Sequence, residues 1–257
     1  MVDLKSVLTP AQKRFIRKVL QKTLVLVPHS HNLDFLALKY GTDKRAHGYI
    51  EHYQRIFAPL RKRALNILEI GVGGYKDSSV GGESLRMWQE YFPNSLIYSF
   101  DIEDKRAFED KRIKIFQGNQ NDPFFLEDLA AKIGRIDIVI DDGSHISSHI
   151  ITSFRTLFPK LAENGIYVIE DLHTSYWPGF GGNWRDLNST ATAVGMLKSL
   201  ADGLHHDFIP QRNMSYFDSH IRAVHFYKSI SFIFKGRNTE TLTGYMLEDF
   251  ERASREM

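Results

Sequence analysis

Two acidic pairs and one histidine carry the densest potential chemistry in the sequence. Asp141-Asp142-Gly143-Ser144-His145 follows the apolar run Ile136 to Ile140, and Glu170-Asp171 follows Ile166 to Ile169. Apolar runs this short read as strands buried in a parallel sheet. Adjacent carboxylates where buried strands emerge are costly unless they are paired, solvated or metal-bound. A single Asp-Asp reads equally as a helix cap or a solvated loop. Two pairs at successive strand ends, at the same edge of a sheet and with a histidine beside one, favour a metal site. Oxygen donors of this kind suit Mg²⁺, or Mn²⁺, rather than zinc.

A second constellation lies upstream, in Leu65 to Gly74 (LNILEIGVGG). The apolar run Ile67 to Ile70 carries one acidic residue, Glu69, and stops at Gly71, with Gly73 and Gly74 following. Glycines there let the backbone turn tightly and approach a ligand. Ser84 to Tyr91 reads as the next helix, and a nucleotide-like ligand is expected at the carboxyl end of the strand. The spacing is not G-x-G-x-x-G, which argues against a nicotinamide dinucleotide. Ser95 to Phe100 is a second strand ending at Asp101, whose carboxylate can accept both hydroxyls of a ribose; a plain loop or cap Asp is the alternative. Ile113 to Phe116 is a third, followed by Gln117-Gly118-Asn119, where amides and a glycine suit an adenine edge. A strand with an acidic residue, G-x-G, and an Asp ending the next strand resembles the arrangement of methyltransferases that use S-adenosylmethionine (SAM).

The elements that must position these residues alternate between strands and helices. Thr9-Pro10 opens a helical pattern through Gln21, read as a packing arm or oligomer contact. His31 to Tyr40 is a second helix ended by Gly41, and Tyr49 to Phe57 is a third. The intervening Thr42-Asp43-Lys44 reads, on its own, as a helix-end cap beside ordinary aromatic packing. Asp122-Pro123 starts a helix through about Ile133, and Ile150 to Leu161 forms another, closed by Asn164-Gly165. Thr174 to Gly182 (TSYWPGFGG) has no period and offers aromatics for a ring or sugar, or else builds its own small core. Ala191 to Leu204 is helical, and His205-His206-Asp207 reads as the loop after it. Ile221 to Tyr227 and Ile230 to Lys235 form a hairpin, and the charged tail from Leu247 to Met257 is helical or frayed.

The fold class is therefore α/β: a Rossmann-like sheet, mostly parallel with a C-terminal antiparallel hairpin, plus short N-terminal helices. One domain is expected over 1–257, with a helical cap or lid over 1–60 and a catalytic core over 61–240. Of the 257 residues, 42% are hydrophobic and 25% charged, an ordinary globular balance. A formal net charge of +2 gives no reason to invoke nucleic acid or an anionic membrane. Absence of cysteine excludes disulfides, thiolate zinc sites and Cys nucleophiles, and fits a cytoplasmic protein. No apolar run reaches the length of a membrane span, and no signal-peptide core is expected at the N-terminus.

The ordered motifs LEIGVGG, GGESLRMWQEYFP, FQGNQNDP, IDIVIDDGSH, SFRTLFPKL and YVIEDLHTSYWPGFGG, with GTDK and HGYIEHYQRIF, resemble a known family. It is the metal-dependent class I sugar O-methyltransferases of macrolide and polyketide biosynthesis, of the mycinamicin and rhamnosyl-polyketide type. The likeness covers roughly Leu33 to Phe234. One departure is that the mycinamicin type carries an extra N-terminal domain, where this sequence has a short helix; members use such segments at subunit contacts. The resemblance implies Mg²⁺ ligation by Asp142, Glu170 and Asp171, with His145 as general base. It also implies that Glu69 and the Gly71, Gly73, Gly74 loop face the methionine part of SAM, with Ser84 near its carboxylate. Asp101 would hold the ribose, and Gln117, Gly118 and Asp141 would border the adenosine, with Asp142 counted on the cofactor side as well as with the ion. Thr42 and Lys44 would belong to a lid, and Tyr176 and Trp177 would shape the acceptor pocket. The implied partner is a small-molecule glycoside, and the implied assembly a homo-oligomer, dimer or tetramer.

A sugar hydroxyl is a poor nucleophile at neutral pH, so such an enzyme must supply alkoxide character and in-line placement. Chelation of two adjacent oxygens by a divalent ion serves a vicinal diol on a hydrophobic aglycone. It serves a catechol or another phenol equally well, which is the first competing reading. A SAM-fold oxygenase or a non-catalytic binding subunit is the second. An Fe(II) triad wants two histidines and one carboxylate, against the three carboxylates and one histidine of this pattern.

Overall fold

The computed structural model of the chain describes residues 31–75, 77–209 and 212–238, together with Arg252. The helix expected from Thr9 to Gln21 lies outside the described residues, as does the tail from Leu247 apart from Arg252. In chain order the first elements are helices α1 (Leu33–Tyr40) and α2 (Ile50–Phe57), strand β1 (Asn66–Ile70), helix α3 (Glu83–Tyr91) and strands β2 (Leu96–Asp101) and β3 (Ile113–Gln117). Next come helix α4 (Pro123–Ile133), strand β4 (Ile136–Asp141), helix α5 (Ser147–Leu157) and strand β5 (Leu161–Ile169). Helices α6 (Ala193–Gly203) and α7 (Tyr216–His220) precede strands β6 (Ile221–Tyr227) and β7 (Ile230–Lys235). The chain divides into two compact units, one of Met1–Leu65 with Val72–Gln117 and the other of Asn66–Gly71 with Gly118–Met257.

The first unit is built on an aromatic core. Tyr53 and Phe57 of α2 meet Trp88 of α3 and the following Phe92, with ring centroids 5.0 Å apart for Tyr53–Trp88 and 5.7 Å for Phe57–Phe92. Tilted and edge-on contacts of this kind match the ring quadrupoles and add to the burial of large apolar area. Helix α1 starts where Asn32 accepts from the Phe35 amide and ends at Gly41 in a left-handed conformation, as the sequence predicts. Its Lys39 ammonium pairs with buried Glu90 at 2.7 Å, and the Tyr40 hydroxyl donates to the same carboxylate. Strands β2 and β3 run parallel, with Asp101 opposite Gln117 at their carboxyl ends.

The second unit carries five strands in the order β1-β4-β5-β7-β6. Strands β1, β4 and β5 are parallel, so Ile70 faces Asp141 and Asp141 faces Ile169. Strand β7 pairs antiparallel with β5 and with β6, and Tyr227 faces Ile230 across a two-residue turn in which Ser229 has φ 63°. That is the expected C-terminal hairpin. Helix α4 begins at Asp122, which caps the amides of Phe124 and Phe125, with Pro123 at its first position.

One helix and the strand after it differ from the sequence reading. The helix placed over Ile150 to Leu161 begins at Ser147 and ends at Leu157, where Phe158–Lys160 tightens into a 3₁₀ turn around Pro159. Strand β5 then starts at Leu161, and Asn164-Gly165 lie inside it rather than closing the helix. Ile136 pairs with Leu161 but Ile138 with Ile166, so the intervening residues form a bulge in which Asn164 takes φ 62°. Asn-Gly supplies left-handed backbone to a bulge as readily as to a helix end, so composition does not separate the two. Helix α7 was not anticipated; it rests on a capping box between Ser215 and Asp218.

Candidate functional site

Within the second unit the chain leaves two neighbouring strands at their carboxyl ends. The Asp142 amide donates to the Ile70 carbonyl at 3.1 Å and the Glu170 amide to the Asp141 carbonyl at 3.0 Å, which fixes both exits against the sheet. Gly71 has φ 93°, and a Cβ there would stand 2.4 Å from the Asp142 carbonyl oxygen, so a side chain is excluded. Past these exits, Asp142, His145 and Asp171 each place a ligand-type atom within 4.8 Å of the others. His145 Nε2 lies 3.5 Å from Asp171 Oδ2 and 4.0 Å from Asp142 Oδ1. His145 and Asp171 both have left-handed backbone, φ 57° and 51°. Non-glycine residues adopt this region at a cost, and such strain collects at sites the surrounding structure over-determines. The Thr174 hydroxyl, 3.0 Å from the His145 carbonyl and 2.8 Å from that of Asp171, links the two strained turns.

Two carboxylates and an imidazole at these separations form a donor set that fits a hard or borderline divalent cation. Glu170 is buried and stands outside that converging group. Glu69 is fully buried on β1. Asp141 is also fully buried, accepting from Gln120 at 2.7 Å, Ser153 at 2.6 Å and Tyr167 at 3.2 Å. Burial pushes its carboxyl up to about 6, against these hydrogen bonds, which favour the charged form. Gly118 opens the connection to α4. Tyr176 ends a 3₁₀ turn over Leu172–Tyr176 and Trp177 follows it; both are exposed, and the Trp177 ring meets His173 edge-on at 4.7 Å.

In the first unit, Asp101 accepts from the Val72 amide at 2.9 Å and the Glu103 amide at 3.0 Å. A carboxylate has about four lone-pair sites, so capacity remains for further donors. Gln117 donates to the Ile102 carbonyl at 3.2 Å. Gly73 has φ 83°. Ser84 is the second residue of α3, Thr42 caps a short 3₁₀ turn, and Lys44 within that turn is almost wholly buried.

No protein-family model matches the chain. It is 49% identical over 208 residues to the 8-demethyl-8-alpha-L-rhamnosyl tetracenomycin-C 2'-O-methyltransferase of Streptomyces olivaceus, covering 79% of this chain and 54% of that protein. It is 45% identical over 226 residues to the mycinamicin VI 2''-O-methyltransferase of Micromonospora griseorubida, covering 86% and 57%. Among solved structures, the MycE methyltransferase of the mycinamycin pathway, in complex with Mg, SAH and mycinamycin VI, superimposes with a TM-score of 0.81 at 44% identity, over 87% of this chain and 59% of that one. The chain is a homologue of the natural-product sugar O-methyltransferases. It carries their class I methyltransferase fold and spans about half the length of the curated relatives it matches.

Beneath the acidic exits this sugar O-methyltransferase homologue holds residues that motif reading passed over. Gln120, Ser153 and Tyr167 come from a loop, a helix and a strand to surround Asp141. His149 reaches the Ser144 hydroxyl at 2.9 Å. Their signal in the sequence is weak, because each looks like an ordinary polar residue at an element's end or on one helical turn. Among the described residues, no helix is long and apolar enough to cross a membrane.

Proposed function

We propose that the chain is a SAM-dependent, Mg²⁺-dependent O-methyltransferase that methylates a sugar hydroxyl on a glycosylated polyketide or macrolide. The convergence of Asp142, His145 and Asp171 where β4 and β5 end carries the proposal. Homology supports it, since the two curated relatives are named for methylating the sugar of a glycosylated polyketide and mycinamicin VI. It favours a sugar over a catechol, and a methyltransferase over an oxygenase or a silent subunit.

Asp142, Glu170 and Asp171 would hold the ion, with Mn²⁺ as a substitute. A divalent ion supplies charge that lowers the pKa of a bound hydroxyl. His145 Nε2 would take the proton from the acceptor O–H, and bound SAM would supply the activated methyl group, with the neutral thioether as leaving group. The carboxylate of Asp171, 3.5 Å from Nε2, would stabilise the resulting imidazolium. Asp101 would take the ribose hydroxyls, Gln117, Gly118 and Asp141 the adenosine side, and Glu69, Gly71, Gly73 and Ser84 the methionine side. Thr42 and Lys44 would form the lid. Trp177 and Tyr176 would present an aromatic wall to the acceptor. One methyltransferase domain spanning 1–257, acting as a homo-oligomer in the cytoplasm, is part of the same proposal.

A second reading of His145, as a metal ligand rather than a base, is favoured by its place within the same 4.8 Å group as Asp142 and Asp171. Calorimetric binding of SAM and of Mg²⁺, separately and together, tests the cofactor and metal parts of the proposal before any acceptor is tried. SAM binding with a metal response that disappears in Asp142→Asn is the expected result. Failure to bind SAM overturns the proposal.

A further inference from the structure

We infer that Gln120 is a positioning residue that fixes the loop carrying Asp142 and His145, an inference that rests on the metal-site reading above. Its side chain is buried, and its amide bridges two fixed points. Nε2 donates to Asp141 Oδ1 at 2.7 Å and Oε1 accepts from the Ser144 amide at 3.0 Å. The partners settle which end is which, because a carboxylate only accepts and a backbone N–H only donates. Asp141 is itself held by Ser153 of α5 and Tyr167 of β5, so the amide is anchored to the sheet and to a helix. Ser144 lies between the two residues that matter, one position from His145 and two from Asp142. The sequence makes room for this bridge at Gly143, where a Cβ would come within 2.4 Å of Gln120 Oε1 and 2.9 Å of Ile70 Cγ2. Gln120 thus converts the rigidity of a buried carboxylate into the register of a loop whose His145 would otherwise relax from its left-handed backbone.

Hydrogen exchange and Mn²⁺ calorimetry on the full chain test this. In the wild-type chain the Ser144 amide is expected to be protected, and an unprotected Ser144 overturns the inference. Gln120→Met should speed its exchange roughly tenfold or more, as loss of one buried hydrogen bond does, and leave residues 136–140 unchanged. Mn²⁺ affinity should fall about tenfold or more in the same variant, the usual effect of removing a residue that orients ligands. Tyr167→Phe removes a donor from the same carboxylate, whereas Ser153 also accepts from Gln120 at 3.3 Å and so gives no independent control. Tyr167→Phe should lower Tm while leaving Ser144 exchange and Mn²⁺ affinity near wild type; matching losses in it and in Gln120→Met would reduce Gln120 to general packing and overturn its role. If the exchange results hold but wild-type protein binds no Mn²⁺, the loop-fixing role stands and the metal reading fails.

Discussion

The His145 imidazole stands 3.5 Å from the Asp171 carboxylate, and both residues reach that contact from left-handed backbone at the ends of neighbouring strands. Asp and His enter left-handed backbone more readily than most residues, but the two turns meet only because β4 and β5 pair side by side. The contact is therefore a product of the tertiary structure, and substitutions on either side of it separate chemistry from backbone strain.

For His145→Ala, methyl transfer to a glycoside acceptor should fall by about 10²- to 10⁴-fold, the range for loss of a general base. Calorimetry should find SAM and Mg²⁺ affinity unchanged. Near-normal turnover removes the base assignment, and a lost metal response makes His145 a ligand instead.

Asp171→Asn and Asp171→Ala should both lose the metal response. They should differ in stability, because Asn tolerates left-handed backbone and Ala does not. Denaturant melts should place Asp171→Ala roughly 1 kcal/mol below Asp171→Asn. Equal midpoints would mean that the φ of 51° at this residue carries no strain.

Trp177 is half exposed and touches His173 edge-on. Trp177→Ala should shift stability by no more than about 0.5 kcal/mol, as surface changes do. It should raise the acceptor KM by roughly 2- to 10-fold, the worth of one aromatic contact, with a smaller change in kcat. A loss confined to kcat would place Trp177 away from the acceptor.

Burial would raise the Asp218 carboxyl, but Arg212 and Ser215 hold it below the ordinary 3.8. Arg212 reaches it at 2.8 Å and the Ser215 amide at 2.9 Å. A depressed folded pKa gives stability that is full above 3.8 and is lost as pH falls through the folded value. Asp218→Asn should therefore cost about 2 kcal/mol at pH 7, the scale of a charged hydrogen bond. Thermal melts across pH should find the gap narrowing below about pH 3.8. A gap independent of pH assigns the loss to packing.

The sequence by itself determined six of the seven strands to within a residue and the carboxyl end of β5, with the Asp122-Pro123 helix start, the Gly41 stop and the hairpin at Lys228-Ser229. Those features depend on short-range periodicity and on the backbone preferences of Gly, Pro and Asn, which are local. It also placed acidic pairs at two strand ends, because a carboxylate after a buried apolar run is visible in one dimension. Tertiary structure decided the rest. It brought Asp142, His145 and Asp171 into one group and left Glu170 outside it. It set the bulge at Asn164-Gly165 inside β5, through pairing with β4. It also joined Gln120, Ser153 and Tyr167 around Asp141. Side-chain convergence depends on strand register and on the φ of single loop residues, and neither is written in the spacing of residue types.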